Sequence, residues 1–216
     1  MLMKQISILI LLFFAPTMLV AQEFYGGVLG GFNGSQIDGD FASGYNKMGL
    51  VAGTWIQRDL SRNLYWGMEI KFNQKGARVM PTNKNNNHKY VYRLNYIDLP
   101  VLLGFRYEYF SVFGGLSYGY LVSKSGYDNF GYDPVVQNDD IADWEVGFFA
   151  GMKVDFDQIS TQYWASKMML ELRFQYSMIS IDQRHDFFWL AHSVGQYNNV
   201  ISTVLYYRFD WAGLSK

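Results

Sequence analysis

Leu64-Tyr65-Trp66-Gly67-Met68-Glu69-Ile70-Lys71-Phe72-Asn73-Gln74-Lys75 is the stretch on which the fold turns. Successive side chains of a strand point to opposite faces, so Leu64, Trp66, Met68, Ile70 and Phe72 share one face. Tyr65, Gly67, Glu69, Lys71, Asn73 and Lys75 share the other. A helix would scatter both sets around its circumference. The pattern returns over residues 143–156, where Trp144, Val146, Phe148, Ala150, Met152, Val154 and Phe156 oppose Glu145, Gly147, Gly151, Lys153 and Asp155. It returns again over 168–178, with Leu170, Leu172, Phe174 and Tyr176 against Glu171, Arg173, Gln175 and Ser177.

Weaker alternation marks five further strands, at 24–32, 47–57, 90–107, 110–123 and 199–209, for eight in all. Within 90–107 the apolar phase slips between Tyr92, Leu94 and Tyr96 and the opposite-parity set Leu99, Val101, Leu103 and Phe105. Pro100 cannot donate to a ladder, so a β-bulge is expected near Asp98-Leu99-Pro100. The connections alternate short (58–63, 108–109, 158–166) and long (33–46, 79–89, 124–142, 182–198). That alternation belongs to an all-β, eight-stranded antiparallel up-and-down transmembrane β-barrel, with short turns and both termini on the periplasmic side. Phe24, Tyr25, Trp55, Tyr65, Trp66, Tyr107, Phe110, Tyr163, Trp164, Tyr206, Tyr207 and Trp211 fall near the short-turn ends, where an aromatic girdle is expected. A soluble lipocalin-like barrel, with its apolar face turned inward, shares the same alternation.

Residues 1–21 carry Lys4, an apolar run from Ile6 to Phe14, Pro16 and the exit Val20-Ala21, which reads as a cleaved secretory signal preceding a barrel domain at 22–216. The run is shorter than the ~20 residues of a spanning helix. The chain has no cysteine, which excludes disulfides, a lipidated N-terminal Cys and thiolate metal sites. Aromatic residues make up 19% and charged residues 17%, with a mean hydropathy of -0.07, as one lipid face and one polar face require. A formal net charge of -1 gives no electrostatic case for nucleic acid.

Several segments resemble the PorT-like outer-membrane β-barrel family of Bacteroidetes. They are the glycine-rich opening Gly26-Gly27-Val28-Leu29-Gly30-Gly31-Phe32-Asn33, the Glu69–Ala77 segment with its Lys75-Gly76, and Leu94-Asn95-Tyr96-Ile97-Asp98-Leu99-Pro100-Val101-Leu102-Leu103. Phe113-Gly114-Gly115-Leu116-Ser117-Tyr118-Gly119-Tyr120-Leu121 and Tyr207-Arg208-Phe209 are similar as well; the tail 210–216 departs from a chain ending on its terminal aromatic. The resemblance implies a barrel in the bacterial outer membrane. It implies no reaction, no cofactor and no catalytic set.

An eight-stranded barrel is filled by its own side chains. The expected interior polar network is Glu69, Lys71, Lys75, Arg93, Glu145, Lys153, Asp155, Glu171 and Arg173, joined by Arg106 and Arg208; mixed signs point to mutual pairing rather than an ion path. The catalytic candidates are His185 with Asp182 and Asp186, followed by His192 and Ser193: a histidine base beside carboxylates and a serine nucleophile. Asp128, Asp133, Asp139, Asp140 and Asp143 make one long loop acidic, without the fixed spacing of a calcium loop, and His88 stands alone, so no metal site is expected. Only 210–216 follow the last strand, leaving no expected wall-binding domain. Two functions are open: a non-enzymatic structural or interaction module among outer-membrane lipids and lipopolysaccharide, serving a larger transport or secretion complex, or a barrel enzyme acting on lipid A or peptides through the His185 loop.

Overall fold

The computed structural model describes residues 24–39, 44–81, 89–128, 141–182 and 195–209. The expected signal at 1–21, the tail at 210–216, and His88, Asp133, Asp139, Asp140, His185, Asp186, His192 and Ser193 lie outside the described residues. The strands are β1 (Phe24–Asp38), β2 (Lys47–Asp59), β3 (Leu64–Lys75), β4 (Arg78–Val79), β5 (Tyr90–Tyr107), β6 (Phe110–Asp128), β7 (Trp144–Asp155), β8 (Met168–Ser177) and β9 (Tyr197–Arg208). Each pairs antiparallel with its neighbour, and β9 pairs with β1, which closes the sheet. The two-residue β4 continues β3 past Gly76-Ala77 in unchanged register against β5, since Lys75 faces Leu94 and Arg78 faces Val91. Nine segments therefore make an eight-stranded antiparallel closed barrel, and closure leaves no sheet edge to be satisfied by lipid.

Alternation sends the apolar rows outward. Met48 is 73% exposed, Phe32 60%, Leu103 59% and Ile70 57%, while Glu171 on the inner face is 0% exposed. A band of large apolar side chains around the whole circumference cannot face water, so the lipocalin arrangement is excluded and the band lies in a bilayer. β5 and β6, at 18 and 19 residues, far exceed the ~9–11 that a bilayer needs. Their turn end is tied by the two-residue link Glu108-Tyr109, so the excess rises beyond the membrane at the loop end. The third turn-end connection, read as a plain loop, carries two 3-10 turns, Phe156–Gln158 and Ala165–Lys167.

Three expectations need correction. The bulge is not at Pro100: β5 keeps one register against β3 on both sides of it, Met68 facing Val101 and Lys71 facing Asp98. The shift lies at Asn95/Tyr96 and the extra residue is Val122 on β6, because Asn95 faces Ser123 while Tyr96 faces Leu121. Leu94 and Tyr96 are apolar on the inner face, where they pack with Ile37, Ala77, Leu121, Ile141 and Ile181 under the loop end. The same parity turns Arg93 outward, so it is exposed and no part of the interior. Finally, Trp55, Tyr65 and Tyr206 are buried inside the barrel instead of in the girdle; Phe24, Trp66, Tyr107, Tyr163, Trp164 and Tyr207 remain outside the buried set at that end.

Candidate functional site

The inner face carries a layer of ionised side chains between two apolar ones. Toward the turn end Leu29, Val51, Trp55, Met169, Val204 and Tyr206 pack together, and toward the loop end stands the Leu94–Tyr96 cluster. Between them four carboxylates, Glu69, Asp98, Glu145 and Glu171, meet four cations, Lys71, Lys75, Lys153 and Arg173, all of them buried. The formal charges cancel, as low-dielectric burial demands.

Arg173 of β8 joins the first group. Its Nη1 and Nη2 donate to the two oxygens of Glu69 at 2.9 and 2.6 Å, and Nη2 also reaches Glu171 Oε2 and Tyr206 OH at 3.2 Å. Nε lies 2.8 Å from Glu171 Oε1 as an ion pair, without the alignment of a hydrogen bond. The planar fork suits two carboxylates better than an ammonium would. Tyr206 OH in turn donates to Glu69 Oε1 at 2.8 Å. Lys71 Nζ stands 3.5 Å from Glu69 Oε2 and Lys153 Nζ 3.3 Å from Glu171 Oε2. The guanidinium also lies over the Phe149 ring at 4.5 Å, and Lys153 over Tyr206 at 3.9 Å.

Lys75 of β3 joins the second group by bonding both Asp98 and Glu145. Asn73 Nδ2 donates to Asp98 Oδ2 at 2.8 Å, Asn33 Nδ2 donates to Asn73 Oδ1 at 2.6 Å, and Ser177 Oγ and Asn198 Nδ2 donate to Glu145. These neutral donors complete the lone pairs that one ammonium leaves open.

Of the expected interior residues, Glu69, Lys71, Lys75, Glu145, Lys153, Glu171 and Arg173 are brought into these two groups. Asp155 stands apart at the turn-end mouth, its carboxylate 3.7 Å from Arg208, whose other nitrogen is 3.6 Å from Asp157. Arg106 binds Asp59 there with two 3.2 Å bonds. With Tyr25 and Trp55 these residues line an open cup of about 400 Å³. Sequence reasoning missed Asp98, having placed it in a bulge; its parity with Pro100 and Leu102 was the available signal. It also missed Tyr206, assigned to the girdle. The candidate catalytic residues His185, Asp186 and Ser193 lie outside the described residues, so no convergence among them can be stated. Among the described residues no cluster of three or more His, Asp or Glu is placed to hold a metal ion.

A comparison with curated proteins finds none that matches the chain. Among solved structures it is similar to the attachment invasion locus protein Ail of Yersinia pestis, with 14% identity over 87% of this chain and 99% of that one and a TM-score of 0.48. Neisserial surface protein A is similar at 11% identity, covering 86% and 97%, with a TM-score of 0.49. OprG of Pseudomonas aeruginosa is similar at 13% identity, covering 86% and 94%, with a TM-score of 0.36. Residues 20–183 match the family model for the outer membrane protein beta-barrel domain, and with its closed eight-stranded sheet and apolar outer band the chain belongs to that family of bacterial outer-membrane β-barrels.

Proposed function

We propose that the chain is a non-enzymatic, closed barrel that acts as a structural or interaction module of the outer membrane, an accessory subunit of a transport or secretion assembly. One observation carries the reading: the interior is filled by a charge-balanced, hydrogen-bonded network, so its polar chemistry is spent on itself. What remains for other molecules is the lipid-facing wall and the two rims. The PorT-like segments, Glu69–Ala77 and Leu94–Leu103 foremost, support placing the chain with that branch of Bacteroidetes barrels. The alternation of turns and loops supports a periplasmic short-turn rim.

The test is the native mass of the tagged chain extracted from outer membranes in mild detergent, with identification of the proteins that leave with it. A stoichiometric complex is expected. A lone monomer under conditions that keep other outer-membrane assemblies intact would overturn the accessory-subunit reading.

A further inference from the structure

On the outward face of β3, β5 and β6 the apolar surface ends along a single polar line. Phe72, Ile97 and Tyr120 form one outward row, Ile97 facing both of the others across the ladders. In the next row toward the loops, Gln74 Nε2 donates to Asn95 Oδ1 at 3.0 Å and Asn95 Nδ2 donates to Ser123 Oγ at 2.7 Å. A hydrogen-bonded row of amides and a hydroxyl directly above aromatic and aliphatic side chains marks the level where hydrocarbon gives way to headgroups.

Just above that line stand cations. Arg93 is two residues beyond Asn95 along β5, about 7 Å at the rise of a strand, and faces Ser125 on β6. Arg78 faces Val91, which places it diagonally next to Arg93 on the same face, within about 8 Å. Both arginines are exposed, and among the described residues neither has a hydrogen-bond or ion-pair partner. Lys89 lies over the ring of Tyr127, which also faces Val91. Of the carboxylates on these strands, Glu69 and Asp98 are buried inside, and Asp128 ends β6 opposite Tyr90, one residue beyond Tyr127. The opposite flank is different in kind, since there the outward position at the top of β1 is Asp38, which accepts from Gln36 at 2.7 Å and Asn199 at 3.1 Å.

We propose that this flank, centred on Arg78 and Arg93, binds the phosphorylated headgroup of an outer-leaflet glycolipid of the lipid A type, whose acyl chains lie along the apolar rows beneath. Two guanidinium groups side by side match the oxygens of one phosphate through paired N–H bonds. Serine at position 125 leaves room beside Arg93 for a bulky sugar phosphate. The site stands independently of the accessory-subunit reading, because a lone monomer in the membrane presents this flank to lipid whether or not a complex forms.

Native mass spectrometry of the full chain with bisphosphorylated lipid A, and with the same lipid A stripped of both phosphates, tests the site. The chain is expected to retain the bisphosphorylated form, and R78Q/R93Q to lose it about tenfold or more. R78K/R93K keeps the charge and is expected to retain most of the adduct, and R58Q/R62Q, on the other rim, to retain all of it. Equal retention by R78Q/R93Q, folded as shown by heat-modifiable gel mobility, would overturn the proposal. So would equal retention of the dephosphorylated lipid by the unaltered chain, a comparison that decides the matter even where a variant misfolds.

Discussion

Arg173 is gripped by Glu69, Glu171 and Tyr206 at once and lies over the Phe149 ring. Removing its charge leaves two buried carboxylates whose remaining cations are Lys71 and Lys153, with nitrogens 3.3 to 3.5 Å away that cannot take over the bidentate bonds. An uncompensated buried charge typically costs ~3–5 kcal/mol, so R173M is expected to lose about that much in urea unfolding from lipid vesicles. E69M should lose a similar amount for the converse reason. The double variant R173M/E69M restores the balance of charges and should be more stable than the sum of the two losses by ~1–3 kcal/mol. Additive losses would show that the two side chains do not act as a pair. The residue types were legible in the sequence, because ionised groups on the inward parity of a filled barrel must pair. Which carboxylate meets which cation was not, since Glu69 and Arg173 lie on strands far apart around the barrel and meet only across its interior.

At the scale of the strand, β5 and β6 show why inference from alternation works within the membrane and fails above it. Inside the bilayer the lipid face is the apolar one, and the pattern Leu99, Val101, Leu103, Phe105 reads correctly. Where the hairpin rises beyond the bilayer the inner face becomes apolar, so Leu94 and Tyr96 sit inside, and a change of environment looked like a change of phase. The true irregularity, Val122, was hidden because the residues around it are weakly patterned on both faces. Its position gives a sharp expectation. Deleting Val122 removes the extra residue yet leaves Leu121 facing Tyr96 and Lys124 facing Leu94, so the barrel should fold with a stability within ~1 kcal/mol of the parent. Deleting Tyr118 instead can be absorbed only by erasing the bulge and turning Tyr120 inward where Gly119 now sits. A Cβ at Gly119 already meets Asp98 Oδ1 at 2.7 Å and Glu145 Cγ at 2.9 Å, so a phenol ring there breaks the Lys75 group. Heat-modifiable electrophoretic mobility distinguishes the two: the folded form should persist for the first deletion and vanish for the second.

For the whole molecule the decisive quantity is whether any continuous aqueous path crosses the barrel. From the turn end, the cup of about 400 Å³ runs inward past Arg106 and Asp155 to Trp55 and Met169. Beside it the adjoining void, bounded by Tyr109, Ser111 and Lys153, amounts to about 10 Å³. That is room for about one water molecule and no hydrated ion. Next come the Arg173 and Lys75 groups, where every carboxylate is bonded to a cation, and an ion entering would have to displace one of these partners. The apolar cluster of Ile37, Leu94, Tyr96, Leu121, Ile141 and Ile181 then closes the loop end. A permeating ion therefore meets a charge-balanced layer backed by an apolar one, and both must open together. Planar lipid bilayers containing the purified barrel are expected to show no conductance steps above the lipid background in either polarity. Reproducible steps would mean that the interior opens in lipid, and the ion network would then have to be regarded as a gate in place of a structural filling.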